Sequence, residues 1–271
     1  MKRLFCLMVL LVAGPAHADQ QAVELIAKVK PALVGIATHD PLRQPATELL
    51  GTGFAVADGR HLLTALHVVA NRRPTVRQDD SAADHDGSDM TTNRQPTGLV
   101  VLVGSGEDGE MRDVTVVGRD PVNDLALLKI DGEPLPVLPL DRRTRAPDGS
   151  DIVLSGFPIG AVYGLYPASH RGMIAALTPI SRPTTNVRRL TPEAIRMLRS
   201  KPMVYQMDAT TLPGNSGGPV LDLATGTVIG IVNSSYVQEQ RDGPASEVSG
   251  IGFAIPVAAA IVLLNEARLT P

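Results

Sequence analysis

Short apolar runs separated by turn-forming residues recur along this chain, and they restrict its fold more than any other feature. Glycine (25 residues) and proline (22 residues) occur between the runs. Many short strands with frequent turns and few helices are typical of an all-β sandwich or barrel. The ten runs that we predict to be strands are Ala32–Ala37, Gly53–Ala57, Leu62–Thr64, Leu99–Val103, Val114–Val117, Leu125–Ile130, Ile152–Ser155, Val204–Met207, Val228–Val232 and Gly252–Ile255.

Three other segments have helical character. Residues 19–30 place apolar side chains on one rough helical stripe that ends at Pro31. Pro192–Arg199 follows Thr191, a good N-cap, and begins with proline at its first position. The apolar stretch Val257–Arg268 predicts a short C-terminal helix.

The first residues have the layout of a secretory signal peptide. Two basic residues precede an apolar run from Leu4 to Ala13, and Ala16-His17-Ala18 offers small residues at a cleavage site. The run is about half of the roughly 20 residues that span a bilayer, which disfavours a retained membrane anchor. We therefore predict a signal peptide over residues 1–18 and a periplasmic or secreted protein without membrane contact after its removal. The only cysteine, Cys6, would leave with the signal, so disulfides are not expected.

Two polar inserts interrupt the apolar pattern. Residues 71–98 carry five aspartates and little apolar content, which favours a surface loop over a calcium loop because the spacing does not follow the Ca²⁺ template. Residues 181–201 are basic and are interpreted as a solvated face, with a partner-contacting loop as the alternative. The whole chain has 25 basic and 28 acidic residues, which gives no electrostatic reason to expect nucleic acid as a partner. We predict no metal and no cofactor.

A glycine-rich segment around Ser216 is the first candidate for chemistry. It reads Leu212-Pro-Gly-Asn-Ser-Gly-Gly-Pro219. A serine hydroxyl needs a base to become a nucleophile, and the oxyanion that it creates needs preorganised N–H donors. Glycines beside the serine let the backbone amides face one point. The alternative is a plain glycine turn between strands.

Two further residues complete a candidate triad. His67 follows a predicted strand and has the residue type of a base near neutral pH, although a half-buried structural histidine is the usual reading of a lone one. Asp124 precedes the run Leu125–Ile130, where it can orient an imidazole or only cap a turn. The chain order His, Asp, Ser is that of the chymotrypsin fold and differs from those of subtilisin and the α/β-hydrolases. It also counts against the alternative of an esterase, since the chain lacks a Gly-X-Ser-X-Gly elbow.

The segments that carry this chemistry resemble the protease domain of HtrA/DegP-type serine proteases, a branch of the trypsin-like proteases. The similarity runs from about residue 22 to residue 265. The matching segments are Gly51-Thr-Gly-Phe54, Thr64-Ala-Leu-His-Val68, Asp124-Leu-Ala-Leu-Leu-Lys129, Pro213-Gly-Asn-Ser-Gly-Gly-Pro219, Val228-Ile-Gly-Ile231 and Gly250-Ile-Gly-Phe-Ala-Ile-Pro256.

The resemblance implies two six-stranded antiparallel β-barrels with the triad between them. One barrel would span residues 19–135 with His67 and Asp124, and the other residues 136–271 with Ser216 and the C-terminal helix. The backbone of Gly214, Asn215 and Ser216 would form the oxyanion hole. The expected reaction is cleavage of polypeptide substrates through an acyl-enzyme, in protein quality control or processing. A catalytically silent, polypeptide-binding member is the alternative.

The sequence also departs from the family pattern. It ends about 15 residues after Pro256, so we do not expect the peptide-binding PDZ domain of other members. Asn215 stands where pancreatic-type relatives have an aspartate that pairs with a new N-terminus, so that activation route is not expected. Thr210 and Thr211 are assigned to the substrate pocket, and an uncharged Thr210 predicts no preference for Lys or Arg. The oligomeric state stays open between monomer and trimer.

Overall fold

The computed structural model describes residues 16–70, 98–106, 109–143, 145–158, 164–179, 202–234 and 250–271. The first 15 residues of the predicted signal peptide lie outside this part of the chain. The same holds for nearly all of the 71–98 insert and for the 181–201 insert with the predicted helix Pro192–Arg199. Those predictions are therefore not addressed by the structure.

The first half of the described chain forms a closed antiparallel barrel of six strands, in the order β1-β2-β3-β6-β5-β4. Its interior is filled by small and medium aliphatic side chains. In β6, for example, Ala126, Leu128 and Ile130 point into the barrel and are fully buried. The strands are β1 (Leu33–His39), β2 (Thr47–Val56), β3 (His61–Ala65), β4 (Leu99–Val103), β5 (Glu110–Asp120) and β6 (Leu125–Ile130).

The second half forms another closed antiparallel barrel, in the order β10-β11-β12-β9-β8-β7. Ile152, Leu154, Tyr205 and Met207 are among the residues that fill it. The strands are β7 (Asp151–Gly156), β8 (Ala168–Pro179), β9 (Met203–Asp208), β10 (Pro219–Asp222), β11 (Val228–Val232) and β12 (Ile251–Pro256). The all-β fold with two six-stranded barrels is therefore confirmed.

An apolar cluster joins the two barrels. Leu127 of β6 alternates with the inward-facing residues of that strand and therefore points out of the first barrel, as a pleated strand requires. It belongs to the same buried cluster as Phe54 of the first barrel and Phe157 and Leu221 of the second. Because this contact is formed by many buried apolar side chains from both barrels, it fixes how the residues at the rims of the two barrels face one another.

The longer described helices lie at the two ends of the described chain, and a short one lies within the first barrel. Helix α1 (Ala16–Val29) begins before the predicted cleavage position and buries Leu25 and Val29 in the cluster that joins the barrels. A short helix α2 (Leu66–Val69) follows β3, and the predicted C-terminal helix is confirmed as α3 (Val257–Glu266). Within the described residues, none of the helices combines the length and apolar character that crossing a bilayer requires.

All ten predicted strand runs lie on observed strands to within one residue, but two strands were not predicted. Strand β8 is only partly buried, so its sequence mixes polar and apolar residues without a continuous apolar run. Strand β10 has four residues, and its apolar content is limited to Val220 and Leu221 between Pro219 and Asp222. Each strand is paired on both sides, β8 with β7 and β9 and β10 with β7 and β11, and a local apolar pattern does not reveal this pairing.

Candidate active site

Ser216 lies just beyond a tight turn between β9 and β10. The Asn215 N–H donates to the Leu212 carbonyl oxygen at 3.0 Å, and Gly214 has a φ of +94°. A type II turn requires a positive φ at its third residue and commonly has proline as its second. Pro213-Gly214 meets both, so the local sequence itself favours this turn.

Close packing makes two glycines of this segment necessary. A Cβ atom added to Gly214 would lie 2.2 Å from the carbonyl oxygen of Phe157. A Cβ on Gly217, whose φ is +86°, would lie 2.2 Å from the carbonyl oxygen of Thr52. Backbone from both barrels therefore approaches the serine segment more closely than any side-chain-bearing residue would allow.

The backbone amides of this segment fall into two groups. Those of Asn215, Gly217 and Gly218 donate to carbonyl oxygens at 2.8–3.0 Å. Within the described chain, the N–H groups of Gly214 and Ser216 have no acceptor. No described residue therefore competes for these two amides, whereas the amide of Asn215, also assigned to the oxyanion hole, is already used in the turn.

His67 and Asp124 are in direct contact at the rim of the first barrel. His67 lies in α2, and the carboxylate of Asp124 accepts hydrogen bonds from its backbone N–H at 2.9 Å and from its Nδ1 at 2.6 Å. Asp124 is 1% exposed. Because a carboxylate only accepts hydrogen bonds, this contact assigns the proton of the neutral imidazole to Nδ1 and leaves Nε2 with a lone pair.

Asn233 is a site residue that the sequence analysis missed. Its side-chain amide donates to Oδ2 of Asp124 at 2.6 Å, and the residue is fully buried. No motif pointed to it. The available signal was a polar residue directly after the apolar strand β11, a position where a buried amide needs a specific partner.

The hydroxyl of Ser216 contacts Ser234. Its Oγ atom shares a short hydrogen bond with Oγ of Ser234 and accepts a second one from the Ser234 N–H at 3.2 Å. The described residues contain no hydrogen bond between Ser216 and His67. Since Asn233 binds Asp124 and Ser234 binds Ser216, two consecutive residues after β11 link the carboxylate of one barrel to the serine of the other.

The predicted pocket residues lie at the end of β9. Thr210 and Thr211 are half-buried, and a Cβ on Gly252 of β12 would lie 2.5 Å from the methyl carbon of Thr211. The missing side chain of Gly252 thus leaves space that this methyl group fills.

No buried acidic residue of the described chain is free to add a negative charge to this pocket. Three aspartates of the described chain are buried: Asp124, Asp141 and Asp222. The first contacts His67, and the other two pair with Arg143 at 2.6 and 2.8 Å. Nor do the described residues include three His, Cys, Asp or Glu side chains placed to hold a metal ion.

Comparison with known proteins defines the family. Residues 51–231 match the model of the trypsin-like peptidase domain, so the chain belongs to this family. The resemblance to the HtrA/DegP branch is also confirmed by similar sequences. A probable periplasmic serine endoprotease, DegP-like, from Pseudomonas fluorescens Pf-5 is 29% identical over 83% of this chain. The putative serine protease HhoB from Synechocystis is 31% identical over 64% of it.

These relatives are longer than this chain. The matched regions cover 36% of the Pseudomonas protein and 35% of the Synechocystis protein. Among solved structures, the active form of the Rv3671c protease from M. tuberculosis superposes with a TM-score of 0.62 at 23% identity, over 100% of this chain and 95% of that one. This similarity supports the two-barrel fold.

The glycine of the serine turn can be tested against a matched position. We expect Gly214→Ala to lower the free energy of unfolding more than Gly149→Ala does. Both positions have positive φ, at +94° and +85°, but a Cβ at Gly149 meets nothing within 4 Å. The left-handed backbone should cost each variant about 1–2 kcal/mol, and overpacking against Phe157 should add about 1–3 kcal/mol to Gly214→Ala alone. Urea unfolding measures both, and equal losses would contradict close packing at Gly214.

Proposed function

We propose that this chain is an endopeptidase in which Ser216 attacks the peptide carbonyl, His67 acts as general base and Asp124 orients the imidazole. The observation that carries the proposal is the contact between His67 Nδ1 and the buried carboxylate of Asp124 at 2.6 Å. It leaves Nε2 as the basic nitrogen, which is the form that can remove a proton from a serine hydroxyl.

The chemistry follows from these roles. As Ser216 Oγ bonds to the carbonyl carbon, its proton passes to His67 Nε2, and the carbonyl oxygen becomes negative. The C–N bond then breaks, His67 returns the proton to the leaving amine, and an acyl-enzyme remains. Water then attacks the acyl carbon while His67 takes one of its protons, the bond from the carbon to Ser216 Oγ breaks, and His67 returns the proton to Oγ as the acid leaves.

Two features support charge stabilisation along this path. The N–H groups of Gly214 and Ser216, which have no acceptor among the described residues, suit a developing oxyanion, because such donors act best when they are fixed before the reaction. The negative charge of Asp124 stabilises the imidazolium that forms, and Asn233 shares in holding that carboxylate. We assign Asn233 as a positioning residue because it acts on His67 through Asp124.

The cellular setting is proposed from the relatives and the N-terminal sequence. Similar proteins are named periplasmic serine endoproteases. Together with the signal-like residues 1–18, this favours export to the periplasm and a role in the quality control or processing of polypeptides. Because the chain spans about a third of the length of the relatives described above, their regulation is not transferred to it.

A weak or silent polypeptide-binding member is the second candidate. The observation that favours it is the hydrogen bonding of Ser216 to Ser234 in place of His67. A serine hydroxyl that is hydrogen-bonded to another residue and not to the histidine is not activated by the base. We interpret this arrangement as a resting state of the enzyme, since the serine, histidine and aspartate are all present.

The triad is tested by removing its members singly. We expect Ser216→Ala to abolish hydrolysis of casein and labelling by a serine-directed phosphonate, and His67→Ala to reduce labelling at least about a thousandfold. Both variants should keep the wild-type far-ultraviolet circular dichroism. Mass spectrometry of the labelled wild type locates the modified residue. Modification elsewhere than Ser216, or full activity of Ser216→Ala, would refute the assignment.

Removing the Ser216–Ser234 contact distinguishes a resting enzyme from a silent one. We expect Ser234→Ala to raise the rate constant of phosphonate labelling about three- to tenfold, because one competing hydrogen bond of roughly 1 kcal/mol is lost. Ser169→Ala is the matched control: its hydroxyl pairs with Ser155 at 2.8 Å, and its removal should leave the rate unchanged. Labelling that stays negligible in Ser234→Ala would favour the silent, polypeptide-binding alternative.

The primary pocket is proposed to accept small or medium apolar side chains. Thr210 and Thr211 are uncharged, and a basic side chain would need a counter-charge. In a library of peptides, we expect cleavage after small aliphatic residues and little after Arg or Lys. Thr210→Asp should raise cleavage after basic residues, whereas Thr210→Asn should not. Strong cleavage after Arg by the wild type would contradict this pocket assignment.

A further inference from the structure

We propose that Thr52 is a positioning residue for catalysis, whose hydroxyl holds the serine turn in the conformation that leaves the Gly214 and Ser216 amides free. The inference rests on the proposed endopeptidase function. Thr52 lies on β2 of the first barrel, whereas the serine turn belongs to the second, so the role requires contact across the joint between the barrels.

The Thr52 hydroxyl makes two hydrogen bonds across that joint. It donates to the carbonyl oxygen of Gly214 at 2.7 Å and accepts from the backbone N–H of Phe157 at 3.0 Å. A hydroxyl is one of the few side-chain groups that donates and accepts at once. One oxygen atom therefore connects the turn before Ser216 with the segment after β7, on which Gly214 packs.

The backbone of Thr52 strengthens the same connection. Its N–H donates to the carbonyl oxygen of Ser216 at 2.8 Å, and its own carbonyl oxygen accepts from the Thr64 hydroxyl at 2.7 Å. Thr52 and Thr64 are both fully buried. Because water does not compete at a buried site, these bonds hold their geometry more firmly than exposed ones would.

Glycine makes such external support necessary. Gly214 can adopt left- and right-handed backbone conformations at little steric cost, so its own chemistry does not select one. The hydrogen bond from Thr52 fixes the carbonyl of Gly214, and the bond from Asn215 N–H to Leu212 closes the turn. Both groups belong to the peptide unit that joins Gly214 to Asn215, so holding them fixes the orientation of the backbone next to Gly214 and restricts the rotation that would turn its N–H toward another acceptor.

The residue type suits this task. A β-branched side chain has few χ1 rotamers, so a buried threonine presents its hydroxyl in one direction. The space around it is also restricted: a Cβ on Gly156 would lie 2.9 Å from both Thr52 Oγ1 and Asn215 Oδ1. The Thr52 hydroxyl therefore fits against Gly156 only because that residue has no side chain, and a larger polar side chain at position 52 would not fit.

The experiment compares variants that keep or remove the hydroxyl. Thr52→Val preserves shape and removes both hydrogen bonds, Thr52→Ala removes them without risk of overpacking, and Thr52→Ser restores them. Tyr205→Phe is the control for stability, because the Tyr205 hydroxyl also accepts a backbone N–H, that of Ala146 at 2.7 Å, in a buried position of the second barrel. Each protein is titrated with a serine-directed phosphonate, so that rates refer to active enzyme.

We expect Thr52→Val and Thr52→Ala to lower kcat on a quenched-fluorescence peptide about 10- to 100-fold, with KM changed less than about threefold. The affinity for a peptide boronate, which forms a tetrahedral adduct on the serine, should fall in parallel with kcat/KM. Thr52→Ser should recover kcat to within about threefold of the wild type. Tyr205→Phe should lower the unfolding midpoint and leave kcat unchanged.

Other outcomes overturn the inference. An unchanged kcat in folded Thr52→Val would show that the Thr52 hydroxyl serves the fold alone. The same conclusion would follow if Tyr205→Phe lost as much kcat as the Thr52 variants for the same loss of stability. Failure of both Thr52→Val and Thr52→Ala to fold would lead to the same conclusion. A wild type that the phosphonate does not label would instead refute the proposed function, before any Thr52 variant is compared.

Discussion

The joint between the two barrels is the constraint on which the candidate site depends. His67 and Asp124 belong to the first barrel, and Ser216, Asn233 and Ser234 belong to the second. Their distances are set by how the barrels dock. The docking has an apolar component, the cluster that contains Leu127 and Phe157, and a directional component, the hydrogen bonds of Thr52. Apolar burial supplies most of the free energy, but it is not directional, so the hydrogen bonds must define the geometry.

Burial of the Asp124 carboxylate shows how this geometry is stabilised. A buried charge is unfavourable unless it is hydrogen-bonded or paired. The described contacts of Asp124 include the backbone N–H and Nδ1 of His67 from its own barrel and the amide of Asn233 from the other. The residue also has a φ of +56°, a left-handed conformation that aspartate tolerates better than most residues. Folding of both barrels is therefore required before this carboxylate is fully satisfied.

The serine turn combines local preference with distant support. Pro213 and Gly214 favour the turn by their own backbone chemistry. The close approach of Phe157 and Thr52, however, comes from segments that are far apart in the chain. The result is a short backbone segment in which the amides of Asn215, Gly217 and Gly218 are hydrogen-bonded, while those of Gly214 and Ser216 meet no acceptor among the described residues.

Much of the fold could be predicted from the sequence. The apolar runs located ten of the strands because a buried strand needs continuous or alternating apolar residues, and the resemblance supplied their closure into two barrels. Strands β8 and β10 were not predicted, because the first is only partly buried and mixes polar with apolar residues and the second has only two central apolar residues. Likewise, Ser216, His67 and Asp124 were selected by residue type, order and motif.

Only the tertiary structure decided which groups Ser216, His67 and Asp124 contact. Nothing near Asn233 or Ser234 in the sequence reveals that one binds Asp124 and the other Ser216, and Thr52 was visible only as part of a glycine-phenylalanine motif. The physical reason is that hydrogen bonds act over about 3 Å between atoms whose separation along the chain is unconstrained. The sequence by itself determined the chemical groups and the barrels that carry them, and the folding and docking of the barrels decided their partners.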